Sequence, residues 1–318
     1  MRAVPKDPLR HAPAWLGLPT RAGVVRCAPD LRCVPRNADW REWRAEVCPS
    51  RHERLVSARR TVVVAVIGAA LTALSAKVFA QATAQPARTI LAIGAHAGDA
   101  ELTNGLLLAR QRRFGDRTVI LHMTLGEGGN PRLAPEAYGD QKRREAAEVA
   151  SSLGAEVLMA PYKDGQLPDN DEARRYVANV VRQVKPTHIL THWGQSIHKD
   201  HSVTHRIVVD AVLLASLPGV VTEHPAWRGV RAVWYAENWE DADGFRPYTY
   251  VAIAPEDSAR WRAAVAKYEF VGGTISSFRY LDYYSALMTV RGAESRRGRA
   301  VAFDIDQIGK RRVLDTLP

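Results

Sequence analysis

Cysteine is what this 318-residue chain runs short of first: it has three, Cys27, Cys33 and Cys48, and none afterwards. Beyond Cys48 there is therefore no disulfide staple, no thiolate nucleophile and no cysteine ligand for a metal. Long uncharged apolar runs are equally scarce. The best candidate, residues 61–80 (TVVVAVIGAALTALSAKVFA), is cut by Lys77, and the uninterrupted part, 61–76, is brief for a membrane span. A basic face is also missing, despite a net charge of +10. Residues 1–60 hold thirteen Lys/Arg against six Asp/Glu, giving +7, and the rest of the chain carries only +3. A groove for nucleic acid needs its excess inside the folded part, so nucleic acid is excluded as a partner. What remains is ordinary globular composition, 46% hydrophobic and 25% charged, in a length that suits one large α/β domain with extras or two small ones.

Residues 1–55 are rich in Pro and Arg and show no helical or strand period, so no packed fold is expected there. They read as an extension ahead of the true start, with translation beginning near Leu55 or Val56. Residues 56–82 then have the three parts of a secretory signal: Arg59-Arg60, the apolar run, and small residues around Ala80 and Ala82. The arginine pair also resembles a twin-arginine export signal. The expectation is an exported protein, periplasmic or extracellular, whose mature domain is 83–318. The alternative is a signal anchor with a cytoplasmic tail, and membrane contact is expected only through this segment.

Across the mature part, apolar runs at 88–95, 118–124, 157–160 and 188–191 read as strands. Helical patterns at 102–113, 142–153, 172–184 and 201–217 separate or follow them. This alternation predicts an α/β fold with a mostly parallel sheet and helices on both faces. Further strands are expected at 232–236 and 248–254, and a helix at 256–270. Residues 272–298, rich in Ser, Tyr and Arg, read as a loop-rich C-terminal extension covering the site.

Two short runs carry the chemistry: Ala95-His96-Ala97-Gly98-Asp99-Ala100-Glu101 and His198-Lys199-Asp200-His201. Each lies just past an expected strand, where open parallel sheets build their sites. Taken singly, His96 could end a strand, Asp99 could cap the next helix, and the second run could be a solvated loop. Taken together, they offer two imidazoles and a carboxylate with a coordination position left open, which suits catalytic zinc. Iron or another divalent ion fits the same donors.

These residues resemble the PIG-L/LmbE-like zinc-dependent N-deacetylases, whose pattern is Ala-His-Pro-Asp-Asp-x-Glu after the first strand and His-x-Asp-His later. Thr124-Leu125-Gly126-Glu127, the helix with Glu145 and Leu153-Gly154, and Tyr162-Lys163-Asp164-Gly165 also match. The resemblance covers about 88–215 and implies a Rossmann-like three-layer sandwich. It implies zinc held by His96, Asp99 and His201, with His198 as general acid or oxyanion stabiliser. Asp200 would orient His198, and Asp164 would touch sugar hydroxyls. The implied substrate is an N-acetylated amino sugar, of N-acetylglucosaminyl type. Oligomeric state is left open.

The first run departs from the pattern at two places, Ala97 for Pro and Gly98 for the first Asp, which in the family is the general base. Glycine accepts no proton, so either another carboxylate such as Glu101 or Asp200 takes over, or the polarised water suffices, or the protein binds sugar without turnover. His192 is read as a satisfied strand end that could approach the metal. Tyr280, Tyr283, Tyr284, Trp234 and Trp239 are candidates for a sugar-stacking wall or for core. Arg291, Arg296, Arg297 and Arg299 are candidates for an anion contact or a solvated loop.

Overall fold

A computed structural model describes residues 88–307, 309–311 and 316. The expected extension (1–55) and export segment (56–82) lie outside the described residues.

The sheet has seven strands: β1 Thr89–Gly94, β2 Arg117–His122, β3 Glu156–Met159, β4 His188–His192, β5 Ala232–Ala236, β6 Thr249–Ala252 and β7 Ala300–Ile305. Their order is β3-β2-β1-β4-β5-β7-β6. The five strands from β3 to β5 run parallel, while β7 pairs antiparallel with both β5 and β6. Six α-helices accompany them: α1 Asp99–Arg113, α2 Pro135–Leu153, α3 Asp171–Val184, α4 Lys199–Ser216, α5 Pro255–Val265 and α6 Tyr280–Glu294. The central strands are apolar throughout because both faces are covered, so they read as runs and not as alternation.

Two cores result. On one face Ile90, Ala92, Ile120 and Leu190 meet Leu106, Leu153, Trp261 and Tyr268. On the other, Leu91, Ile93, Val119 and Ile189 meet Val177, Val181, Ile207 and Ala211. The predicted three-layer α/β fold is thus present. The chain crosses from one side of β1 to the other when β4 pairs with it, so the carboxyl ends of β1 and β4 flank the switch in strand order. Open sheets place their crevice there.

Residues 272–298 depart from the expectation. They contain α6, and the strand that follows, β7, inserts between β5 and β6. The loop reading failed because Tyr, Thr and Val lower intrinsic helix propensity. The helix is held by packing along Tyr284, Met288 and Gly292, its buried stripe. Gly292 is needed there: a Cβ would stand 2.6 Å from the Gly298 carbonyl oxygen.

Candidate metal centre

The turn from β1 into α1 carries His96 and Asp99, and the start of α4 carries His198 and His201. Because β1 and β4 are neighbours, two runs a hundred residues apart meet at one end of the sheet. Asp99 Oδ2 sits at the centre. It accepts from the His96 backbone N–H at 2.8 Å, and lies 3.0 Å from His96 Nδ1 and 3.3 Å from His201 Nε2. Imidazole and carboxylate atoms close enough to share an ion form three overlapping groups: Asp99/His192/His201, His96/His198/His201 and His96/Asp164/Asp200. The three expected ligands are therefore joined through Asp99 and His201, without forming one closed triad of their own.

The donor chemistry suits a cation. His201 Nδ1 lies 2.9 Å from Asp241 Oδ1 and donates to it, so in the neutral ring Nε2 carries the lone pair. That Nε2 is buried with no hydrogen-bond partner, as is His96 Nε2. Orphaned buried acceptors of this kind call for an explanation, and a metal ion supplies one. Charge points the same way. Burial pushes the His96 imidazole down, but Asp99, Asp164 and Asp200 outweigh it and hold the group well above its usual range. His201 is likewise pushed up to about 10, in spite of burial, by Asp99 and Asp241. Burial works to raise Asp99, yet His201 and His96 hold it well below the usual carboxylate range. A cluster that grips protons this firmly also attracts a divalent cation in their place.

His192 proves to be both things at once. Its Nδ1 meets Asp241 Oδ2 at 2.9 Å, and its Nε2 accepts from the Ala95 N–H at 3.0 Å. Both nitrogens are engaged, so it is a satisfied strand end, although its ring stacks on His201 with centroids 4.0 Å apart. Asp241 thereby orients two imidazoles.

His198 is the N-cap of α4, and its Nδ1 accepts from the Asp200 backbone N–H at 3.2 Å. The amide fixes the neutral ring with its proton on Nε2. Burial, then His96 and His201, lower its pKa, which favours that neutral form. The expected side-chain bond from Asp200 to His198 is not made, because the helix start offers the backbone amide first. The Asp200 carboxylate turns instead to the Gly165 N–H at 2.8 Å, with His96 Nε2 3.6 Å away. Asp164 accepts from the Gly128 N–H at 3.0 Å and stands 3.1 Å from His96 Nε2.

Gly98 has φ 118°, a conformation that L side chains rarely adopt, and a Cβ there would lie 2.7 Å from Phe270 Cζ. Phe270 and the buried Lys142 occupy the space beside it. Lys142 donates to the Ala97 carbonyl and sits over the Phe270 and Tyr268 rings. Burial pushes its amine down to about 8. Glu101 is not a stand-in for the missing carboxylate: it accepts from Tyr268 Oη at 2.8 Å and from the Gly98 N–H at 3.2 Å, and lies 3.1 Å from His122 Nε2, all fully enclosed.

A cavity of about 200 Å³ opens over the cluster, lined among others by His96, Asp99, Asp164, His198, Glu240 and Tyr280. Of the aromatic candidates only Tyr280 lines it. Tyr284 is core, donating to Asn238 Oδ1, and Trp234 packs on Phe303. Trp239 stacks on Phe278 at a neighbouring cleft. Arg291 is spent on Glu237 and Glu294. Glu240 and Asp241 were missed in the sequence, although Trp239–Asp241 follows β5 directly, at the strand end where the crevice rule points.

Residues 91–212 match the PIG-L family, described as GlcNAc-PI de-N-acetylase. The 1D-myo-inositol 2-acetamido-2-deoxy-alpha-D-glucopyranoside deacetylase of Streptomyces griseus subsp. griseus is 25% identical over 66% of this chain and 75% of its own. Further relatives of the same name are spanned over 46% to 61% of their length. Among solved structures, N,N'-diacetylchitobiose deacetylase from Pyrococcus horikoshii is similar with TM-score 0.59, 17% identity, and 70% of this chain and 84% of that one covered. GalB, the 4-carboxy-2-hydroxymuconate hydratase from Pseudomonas putida KT2440, is similar with TM-score 0.63, 20% identity, and 73% and 100% covered. At such identities the likeness is one of fold, and the same fold carries two chemistries, so the reaction has to be argued from the site. The part of the chain that is similar to the PIG-L family, residues 91–212, holds both motif runs.

Proposed function

We propose that this protein is a metal-dependent amidohydrolase that removes the acetyl group from an N-acetylglucosaminyl-type glycoconjugate, with zinc as the metal. The observation that carries the reading is the pair of buried, partnerless imidazole nitrogens, His96 Nε2 and His201 Nε2, grouped with Asp99 under an open cavity. His96, Asp99 and His201 would hold the metal. When bound, it polarises water and the acetyl carbonyl. His198, neutral with its proton on Nε2, donates a hydrogen bond toward the carbonyl oxygen as negative charge develops. Asp164 lines the cavity and meets sugar hydroxyls, while Asp200 holds the Gly165 turn beside His96. The match of residues 91–212 to the PIG-L family and the named activity of the relatives support the substrate class. Export through residues 56–82 is part of the same proposal.

The test is acetate release from N-acetylglucosaminides by the purified full chain with added zinc. His201→Ala should abolish it while leaving the fold intact by circular dichroism. Turnover that survives complete metal removal would sink the reading. A second reading, sugar binding without turnover, is favoured by one observation: Gly98 in place of the family's base. Calorimetric binding of an N-acetylglucosaminide with no acetate released over a day would establish it.

A further inference from the structure

We propose that Glu240 supplies the carboxylate that the first motif lacks at Gly98, taking the proton of the attacking water. The inference rests on the deacetylase reading above. Three acids line the cavity: Asp99, Asp164 and Glu240. Asp99 is the central ligand candidate, already bonded to the His96 amide. Asp164 is held by the Gly128 N–H and lies 3.1 Å from His96 Nε2. Asp200 and Glu101 have no exposed surface and do not line the cavity. Glu240 differs from all of these. Its backbone carbonyl accepts from Ile197 and Ser196, which fixes the residue against the loop before α4. Among the described residues, none hydrogen-bonds to its carboxylate. Oε2 stands 3.7 Å from His201 Nε2, and the side chain is 21% exposed and lines both the cavity over the cluster and the neighbouring cleft.

The carboxylate thus faces the acetyl group's place from the β5 side, whereas the absent aspartate would face it from the β1 turn. Phe270 fills the space a side chain at Gly98 would need, and Glu240 lies across the cavity from it. In the step, one water O–H bond breaks and its proton passes to Glu240. The water oxygen forms a bond to the acetyl carbon. The C–N bond then breaks as the amine takes the proton that Glu240 accepted, while the His198 Nε2–H stays hydrogen-bonded to the carbonyl oxygen, giving acetic acid and a free amino sugar. Glu240 is then ionised again, and the acetic acid loses its remaining proton to solvent as acetate.

The experiment compares wild type, Glu240→Gln and Glu240→Asp as full chains, reading acetate release and, separately, zinc binding to metal-stripped protein by calorimetry. Glu240→Gln should lower kcat by about 10²-fold or more, and Glu240→Asp should keep part of it. Zinc Kd should stay within about threefold in both, since a base is not a ligand. If Glu240→Gln keeps kcat within about twofold of an active wild type, the assignment is overturned and the deacetylase reading stands. A zinc Kd weakened about tenfold or more also overturns it, by making Glu240 a ligand. A wild type that binds zinc and releases no acetate overturns both readings.

Discussion

Gly98 is a rebuilt position as much as a lost one. Its φ of 118° and the 2.7 Å approach of Phe270 to a would-be Cβ mean that Gly98→Asp cannot simply restore a family base. Both Gly98→Ala and Gly98→Asp should lower stability by about 1–3 kcal/mol through backbone strain alone, read as a shifted urea midpoint. Asp241 carries a different expectation. Its two oxygens each accept from one imidazole Nδ1, at 2.9 Å. Asp241→Asn turns one acceptor into a donor that faces an N–H, so His201 loses its fixed tautomer. Zinc affinity should fall about 10–100-fold, measured by calorimetry. Lys142 gives a pH signature. Its amine titrates at about 8 in the folded protein, below its ordinary value of 10.5. Between these two values the unfolded chain binds more protons, so this group makes stability rise with pH across that window. Lys142→Met should remove that rise from a series of urea midpoints.

At the scale of elements, the helix α5 joins the far part of the chain to the site. Trp261 is fully buried, donates from Nε1 to the Glu101 carbonyl, and packs where Gly105 of α1 leaves room: a Cβ at Gly105 would meet it at 2.8 Å. Trp261→Ala should cost about 3–5 kcal/mol in chemical denaturation and loosen the start of α1. This contact was invisible in the sequence, since it spans 160 residues. What was legible follows from local pattern. The parallel strands came through because burial on both faces makes them continuous apolar runs. α1 and α4 were found with boundaries two or three residues late, because Asp99 and Lys199 begin helices that polar first turns disguise. His96, Asp99, His198 and His201 were legible because strand-end position and residue type agree. Asp241, Glu240 and Lys142 were not, because a lone acid or lysine has no meaning until the sheet brings it beside an imidazole. α6 was missed because tertiary packing, and not propensity, makes it a helix.

For the molecule as a whole, the crowding of Asp99, Asp164, Asp200, Glu240 and Asp241 at one end of the sheet makes metal a structural matter as well as a chemical one. Chelation should lower the thermal midpoint, and zinc should restore it in a concentration-dependent way, since binding to the native state alone stabilises it. The sheet's far side has a consequence of its own. β7 is wedged between two strands that precede it in the chain, with Tyr235 facing Asp304 and Tyr250 facing Ala302. While the ribosome is still extending the chain, β5 waits with a naked edge and β6 has nothing to lie against. Zipping of the sheet therefore waits for β7, and a stop codon shortly before Ala300 would leave a sticky, half-zipped intermediate.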